Sequence, residues 1–283
     1  MTSHHTFPKP KNGAGRNLPA AITVGVLLGA VAILCIFVIP WGWQALVSVA
    51  VAGGLWETST RLNEKGYKTP GYVLIVFALA MVWAQQLFSS TFVLGALMLA
   101  FLVLCIYHLL RAEHGEFLKE LATSCFLLLW IGLAGVACAD IATMTRDDAP
   151  GAYFVLTLAL GVVCNDVGGY VAGVLFGSHP MAPRISPKKS WEGMAGSMVF
   201  GIINGMLCAH FLLHAHVLVG VALGAGIVVC ATFGDLIESQ FKREIGIKDM
   251  SNLLPGHGGI MDRMDSFLAA SMAAWLVMSF IVN

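Results

Sequence analysis

Nine apolar runs, each about as long as a membrane-crossing helix, constrain the fold of this chain more than any other feature. A helix of roughly 20 residues crosses a hydrocarbon layer about 30 Å thick. The runs cover residues 19–39, 43–60, 71–87, 90–110, 118–139, 151–176, 193–213, 216–237 and 265–282. A mean hydropathy of +0.80 excludes an ordinary soluble domain. We therefore predict an all-α integral membrane protein, a polytopic bundle of about nine transmembrane helices.

The positions of lysine and arginine predict how these spans face. Short cytoplasmic loops retain positive charge during membrane insertion, whereas exported loops carry little. If the N-terminus is cytoplasmic, only Arg146 of the 16 lysines and arginines falls on the exported side. An error of one span would scramble this alternation. We therefore predict a cytoplasmic N-terminus and a C-terminus on the exported side.

Polarity divides the chain, although no soluble domain can be separated from it. We predict a cytoplasmic N-terminal tail over 1–18, about five transmembrane helices over 19–150, and a C-terminal transmembrane region over 151–283. The first apolar run is interpreted as a retained span, because no small-residue cleavage site precedes a polar mature domain. Almost every polar cluster lies in the C-terminal region. We therefore expect the catalytic residues there, on cytoplasmic loops.

Composition limits the partners of the protein. The 16 basic and 16 acidic side chains give a net charge of zero, so we predict no nucleic-acid partner. The seven cysteines lie in or beside apolar runs and form no C-x-x-C pair. We interpret them as small buried apolar residues rather than metal ligands.

The first polar cluster is Asn165-Asp166, inside the sixth apolar run. A carboxylate at membrane depth is costly unless it faces a polar cavity or a partner, so Asp166 is a candidate functional residue. The alternative is a hydrogen bond from this pair to a neighbouring span, which would serve helix packing.

The second polar cluster is the predicted cytoplasmic loop 184–193. Lys188 and Lys189 lie near hydroxyl groups such as that of Ser186, immediately before a predicted helix start. This arrangement suits phosphate oxygens, because a helix N-terminus adds free N–H groups and positive potential. Alternatively, the two lysines only set the topology or attract anionic lipids.

The third polar cluster, between the last two apolar runs, is the densest. The spacing of Asp235, Glu238 and Ser239 places them on one face of a helix, and that of Asp262 and Asp265 places them on another. Basic residues and a glycine-rich turn accompany these two faces, namely Lys242, Arg243, Lys248, His257, Gly258, Gly259 and Arg263.

This pattern is typical of a site that binds a metal ion and phosphate groups. Mg²⁺ prefers several carboxylate oxygens and commonly keeps water and substrate phosphates as further ligands. Glycines let the backbone approach a ligand closely. No Ser-His-Asp arrangement is visible, and none is needed, because phosphoryl and nucleotidyl transfer depend mainly on positioning and charge neutralisation. We therefore expect Mg²⁺-assisted chemistry on a phosphate-bearing substrate at the inner leaflet.

Three segments of the third cluster together resemble a family signature. They are Ser239-x-Phe241-Lys242-Arg243, Lys248-Asp249-x-Ser251, and Leu254-Pro255-x-His257-Gly258-Gly259-Ile260-x-Asp262-Arg263-Met264-Asp265. At every fixed position they are similar to the phosphatidate cytidylyltransferases, the CDP-diacylglycerol synthases. The segment 186–193 resembles the second block of that family, and Asp166 lies where the family has an intramembrane Asp. One departure is Ser178, where the family commonly has a lysine.

The resemblance implies a reaction in which CTP and phosphatidic acid give CDP-diacylglycerol and pyrophosphate. It implies Mg²⁺ as cofactor, with a second cation left open, held by Asp235, Asp262 and Asp265, with Asp166 as a further candidate. The other residues for which it implies catalytic roles are Lys242, Arg243 and His257. The residues for which it implies substrate contacts are Ser186, Lys188, Lys189, Ser239, Lys248, Gly258, Gly259 and Arg263.

A short chain with no transit peptide suits a bacterial cytoplasmic (inner) membrane, so we expect a multi-pass protein there, in contact with membrane lipids. A homodimer is left open, since small-residue patches such as Gly25-x-x-x-Gly29 can pack spans within one chain or between two. Two alternative functions stand beside the transferase: a CTP-dependent lipid-alcohol kinase, which would release CDP, and a secondary transporter.

Overall fold

The computed structural model describes residues 18–39, 41–111, 115–253 and 258–282. Ten α-helices make up most of it: α1 (Leu18–Phe37), α2 (Gly42–Glu64), α3 (Gly71–Leu87), α4 (Ser90–Arg111), α5 (Phe117–Leu127), α6 (Ala134–Asp140), α7 (Gly151–Phe176), α8 (Trp191–Phe211), α9 (Val217–Glu244) and α10 (Met261–Val282). A π-helical segment over Leu128–Leu133 joins α5 to α6, so the two form one rod that ends at Thr143.

Each predicted span coincides with a helix or, for 118–139, with the α5–α6 rod, and two helices have polar extensions past the predicted end. The helix α2 extends from residue 60 to Glu64, and α9 extends from residue 237 to Glu244. These extensions are polar, and glutamate, lysine and arginine favour helix although they do not favour lipid. Within the described residues, six helical segments are long and apolar enough to cross a membrane. The chain is therefore a helical, multi-pass membrane protein, and nine crossings remain a prediction.

The predicted cytoplasmic loop before α8 folds as a short hairpin. Strand β1 (Pro180–Ala182) pairs antiparallel with β2 (Ser186–Ser190), with an irregularity between Pro180 and Ala182. At the end of β2, the Ser190 hydroxyl accepts a hydrogen bond from the Gly193 N–H at 3.1 Å and so caps α8. The hairpin thereby holds the two lysines of β2 beside the helices.

Glycines bring α7, α8 and α9 into close contact. A Cβ built on Gly168 of α7 would lie 2.7 Å from the Gly196 carbonyl oxygen of α8. Between α8 and α9, a Cβ on Gly205 would lie 2.2 Å from the Gly220 carbonyl oxygen. Small residues at such contacts let helix backbones approach closely in a membrane.

This close packing brings three polar residues into contact, one from each helix. The Ser197 hydroxyl of α8 donates to the backbone carbonyl oxygen of Asn165 of α7 at 2.6 Å. The Thr232 hydroxyl of α9 donates to the side-chain oxygen, Oδ1, of Asn165 at 3.2 Å. All three residues are buried. The contacts fix α7, α8 and α9 around the start of the polar region.

We predict that substituting Gly224 with Ala separates α8 from α9. A Cβ at Gly224 would lie 2.2 Å from the Gly201 carbonyl oxygen, whereas a Cβ at Gly95 of α4 meets nothing within 4 Å. Overpacking of this kind costs about 1–3 kcal/mol. Denaturant titration in mixed micelles should show this loss in the free energy of unfolding for Gly224→Ala and no loss for Gly95→Ala. Equal stability of the two variants would contradict the packing.

Candidate active site

Three carboxylates from two antiparallel helices form the centre of the site. Oxygen atoms of Asp235 and Glu238 on α9 and of Asp265 on α10 all lie within 4.8 Å of one another. The helices approach closely here, since a Cβ on Gly234 would lie 2.6 Å from the Asp265 carbonyl oxygen. The predicted common face of Asp235, Glu238 and Ser239 is confirmed, because the Ser239 hydroxyl lies 3.3 Å from Asp235 Oδ1.

Lys242 supplies positive charge next to this centre. Its Nζ contacts the carboxylate of Glu238, one turn earlier on α9, and lies 2.8 Å from Asp262 Oδ1. The Glu238 side chain is fully buried, and Lys242 and Asp262 are largely buried. Burial of unpaired charge is costly, so each of these groups depends on the others.

Asp262 contacts Lys242 and the loop before α10. One of its oxygens accepts from Lys242, and the other accepts the backbone N–H groups of Met250 at 2.9 Å and Gly259 at 2.8 Å. Asp262 therefore binds the loop that precedes α10. Its predicted role as a metal ligand stays a prediction, while Glu238, absent from the predicted ligand set, lies in the carboxylate centre.

A cavity of about 230 Å³ opens beside the carboxylate centre. Its walls include Asp166, Lys188, Lys189, Thr232 and Asp235. The Lys189 Nζ lies 2.5 Å from an Asp235 oxygen and 3.4 Å from the Thr232 carbonyl oxygen. The hairpin thus places the two predicted phosphate-binding lysines at the wall of one cavity with two acidic residues.

The two residues Asn165 and Asp166 have different roles, one in helix packing and one at the cavity. Asn165 is buried and bonds α8 and α9, which is the packing role. Asp166 is exposed at the cavity, and its Oδ1 accepts from the Asn165 amide at 3.0 Å. Asp166 is therefore available to a ligand in the cavity.

The remaining predicted residues surround these features. Arg243, Lys248 and Arg263 are exposed, Ser186 is partly buried on β2, and Gly259 is buried. Gly258 has a φ of +89°, a left-handed conformation that glycine adopts without strain. His257 lies outside the described residues. Ser178 is exposed, and its hydroxyl donates to the Phe176 carbonyl oxygen.

A further carboxylate, Glu57 of α2, contacts the loop before α10. It accepts from the Ser251 hydroxyl at 2.6 Å and from the N–H groups of Ile260 and Met261, both at 3.0 Å. In the sequence, Glu57 gives no signal beyond a polar residue near the end of an apolar run. Glu238 could have been added to the predicted ligands from the sequence, because its spacing of three residues from Asp235 places both on one helix face.

The carboxylate centre fits a hard divalent cation. Three acidic groups lie close together, with Glu238 buried and Asp235 and Asp265 partly buried. No hydrogen-bond donor among the described residues reaches the Glu238 carboxylate outside its ion pair with Lys242. Mg²⁺ takes carboxylate oxygens and completes its shell with water and phosphate oxygens. The residues therefore suit Mg²⁺ on chemical grounds.

The fold and the site define a helical, multi-pass membrane protein with an acidic centre next to a lysine-lined cavity. A model of the cytidylyltransferase family matches residues 19–281. The chain belongs to this family.

Curated relatives extend the match over nearly the whole chain. A phosphatidate cytidylyltransferase of Mycobacterium bovis is 39% identical over 280 residues, which cover 95% of this chain and 90% of the relative. The protein of the same name from Mycobacterium leprae is 38% identical, over 95% and 89% of the two chains. That of Helicobacter pylori is 28% identical, over 90% and 91%. The similarity thus includes the N-terminal half, where the sequence alone indicated only hydropathy.

We predict that substituting Lys242 with Met destabilises the protein, because it leaves Glu238 and Asp262 without their shared cation. Removing one partner of a buried ion pair costs about 3–5 kcal/mol. Lys119→Met is the matched control, since the ion pair of Lys119 with Glu116 is exposed and surface pairs contribute little. The Lys119 ammonium also lies 4.7 Å from the centre of the Tyr67 ring, and such a contact at an exposed site contributes about 0.5–1 kcal/mol. Denaturant titration in mixed micelles should show a large loss for the first variant and a loss of at most about 1 kcal/mol for the second. Similar stability of the two variants would contradict the role of Lys242.

Proposed function

We propose that this protein transfers the cytidylyl group of CTP to phosphatidic acid, forming CDP-diacylglycerol and pyrophosphate. The observation that carries the proposal is the match of 95% of the chain to proteins named phosphatidate cytidylyltransferase. The site supports it independently, because acidic and basic side chains that suit a metal ion and phosphates lie next to membrane-spanning segments.

In the proposed reaction, a phosphate oxygen of phosphatidic acid attacks the α-phosphorus of CTP. A new P–O bond forms there, and the bond to the bridging oxygen of pyrophosphate breaks in line. Lys188 and Lys189 at the cavity wall would neutralise phosphate oxygens. Arg243 and Arg263 are exposed residues, and a guanidinium group suits bidentate contact with phosphate. Positioning and charge neutralisation account for most catalysis in this class of reaction.

Asp235, Glu238 and Asp265 would hold Mg²⁺, and Asp166 at the cavity is a candidate ligand for a second cation. When bound, Mg²⁺ offsets the negative charge that develops on the leaving pyrophosphate. Lys242 and Asp262 would hold these ligands in place, since Lys242 pairs with Glu238 and Asp262 accepts hydrogen bonds from the loop before α10.

The position of the site favours the transferase over a transporter. Asp265 lies in the second turn of α10, and Lys242 lies in the last turn of α9, so the charged groups gather at one end of the bundle. Transporter sites typically lie near the bilayer midplane. A lipid-alcohol kinase would share the nucleotide and the metal but release CDP instead of pyrophosphate.

We further propose that the protein lies in a bacterial cytoplasmic membrane, with its N-terminus inside, its C-terminus exported and the site facing the cytoplasm. The distribution of lysine and arginine supports this orientation.

We predict that purified protein in detergent–lipid micelles releases pyrophosphate and forms CDP-diacylglycerol when given CTP, phosphatidic acid and Mg²⁺. Asp265→Asn should lower the rate at least about a hundredfold, because the centre loses a charged ligand. Asp147→Asn is the matched control. Asp147 is exposed in the loop between α6 and α7, at a φ of +45° that asparagine tolerates. CDP release would indicate a kinase, and no turnover by folded protein would contradict the transferase.

We also predict the side on which reporter fusions become active. Alkaline phosphatase, which folds only after export, should be active when fused after His214 or after the C-terminal Asn283. It should be inactive when fused after Gly246, because the segment between α9 and α10 is predicted to be cytoplasmic. The reverse pattern would contradict the proposed orientation.

A further inference from the structure

The loop between α9 and α10 is held by a helix from the other half of the chain. Its described parts, residues 245–253 and 258–260, include Lys248, Asp249, Ser251, Gly258 and Gly259 of the family signature. Glu57 of α2 accepts three hydrogen bonds from it and from the start of α10, donated by the Ser251 hydroxyl and by the backbone N–H groups of Ile260 and Met261. Glu57 is fully buried, so these contacts are shielded from water.

Glycines on both sides make this approach possible. On α2, a Cβ at Gly53 would lie 2.5 Å from Cδ1 of Ile260, and one at Gly54 would lie 3.4 Å from the sulfur of Met261. On the loop, a Cβ at Gly259 would lie 2.7 Å from Glu57 Oε2. The small residues thus let the loop backbone reach the carboxylate one turn further along α2.

Glu57 also complements the electrostatics of the α10 N-terminus. The first N–H groups of a helix have no partner within the helix, and the positive end of the helix dipole favours a negative charge. A cap usually comes from a residue just before the helix. Here a carboxylate from α2 satisfies the N–H groups of Ile260 and Met261, while Asp262 accepts from Gly259.

Arg61, one turn after Glu57, makes a second contact from α2 to the same loop. Its Nε donates to the Met250 carbonyl oxygen at 2.5 Å, and the N–H of Met250 donates to Asp262. The loop is therefore fixed between α2 on one side and Asp262 on the other. Movement of the loop away from α2 would displace the first turns of α10.

We infer that Glu57 is a positioning residue for the cytidylyl transfer. By binding the Ser251 hydroxyl and the first N–H groups of α10, it sets the placement of Asp262 and Asp265 relative to Asp235 and Glu238 on α9. Among the described residues, Glu57 bonds to Ser251, Ile260 and Met261, and its role is to position the ligands rather than to bind the metal. This inference rests on the proposed function, since the reaction whose geometry it serves is the proposed one.

The test compares three substitutions that change these contacts to different degrees. Glu57→Gln keeps the size of the side chain but replaces one acceptor oxygen with an NH₂ group. Both Glu57 oxygens accept hydrogen bonds, so the NH₂ group would face a donor and lose that bond. Glu57→Asp keeps the charge and shortens the reach. Ser251→Ala removes one donor and leaves both backbone contacts. Glu116→Gln is the matched control, because Glu116 is half exposed and, within the described part of the chain, forms a surface ion pair with Lys119.

We expect Glu57→Gln to lower kcat by between about tenfold and a hundredfold, since a displacement of about 1 Å in an active site costs this much. KM for CTP should change little, because Lys188 and Lys189 lie on β2, whereas the hydrogen bonds of Glu57 go to Ser251, Ile260 and Met261. Glu57→Asp should recover part of kcat, Ser251→Ala should lose less than Glu57→Gln, and Glu116→Gln should match the unaltered protein. Rates are measured on monodisperse protein below its Tm.

A second readout separates positioning from activity. Hydrogen exchange of the backbone amides of residues 258–262 should be faster in Glu57→Gln than in the unaltered protein and in Glu116→Gln. A folded Glu57→Gln variant with unchanged kcat and unchanged exchange would overturn the inference. If Glu57→Gln does not fold, Glu57→Asp decides: a reduced kcat with faster exchange supports the inference, and an unchanged kcat overturns it.

If the proposed function is wrong, the assays give a result that differs from the failure of the inference about Glu57. In that case the unaltered protein, folded and with Mg²⁺, would form no CDP-diacylglycerol. The hydrogen-exchange comparison would still show whether Glu57 holds the loop and the first turn of α10, and unchanged exchange would overturn that part independently.

Discussion

The ion pairs of Lys242 with Glu238 and Asp262 are the interaction on which the rest of the site depends. Burial of these carboxylates without a cation would be strongly unfavourable, so the lysine makes it possible to pack α9 against α10 with acidic groups between them. Asp262 in turn accepts two N–H groups of the loop between these helices. One buried cation thereby links two helices and the segment that connects them.

The two halves of the chain contribute in different ways. In the C-terminal half, glycines let α7, α8 and α9 pack closely, which places Asp166 and the two lysines of β2 around one cavity. In the N-terminal half, α2 contacts the loop before α10 through Glu57 and Arg61. The N-terminal half is therefore more than a membrane anchor, which agrees with a family match that extends along almost the whole chain.

The site is electrostatically divided. On one side, Asp235, Glu238 and Asp265 gather negative charge suited to a cation, and on the other side Lys188 and Lys189 present positive charge suited to phosphates. Asp235 belongs to both sides, because its carboxylate pairs with Lys189 while also lying near Asp265. A nucleotide complexed with a divalent cation has the same division of charge.

By itself, the sequence determined the helices, the likeness to the family and the residues near the site. These properties are local: hydropathy over about 20 residues, or helical spacing such as that of Asp235 and Glu238. Only the tertiary structure decided that Asp262 bonds to Lys242 and the loop, that Glu238 joins the carboxylate centre, and that Glu57 holds a serine 194 positions away. The physical reason is that such contacts depend on which helix faces pack together, and nothing in the spacing of residues along one helix specifies its neighbour.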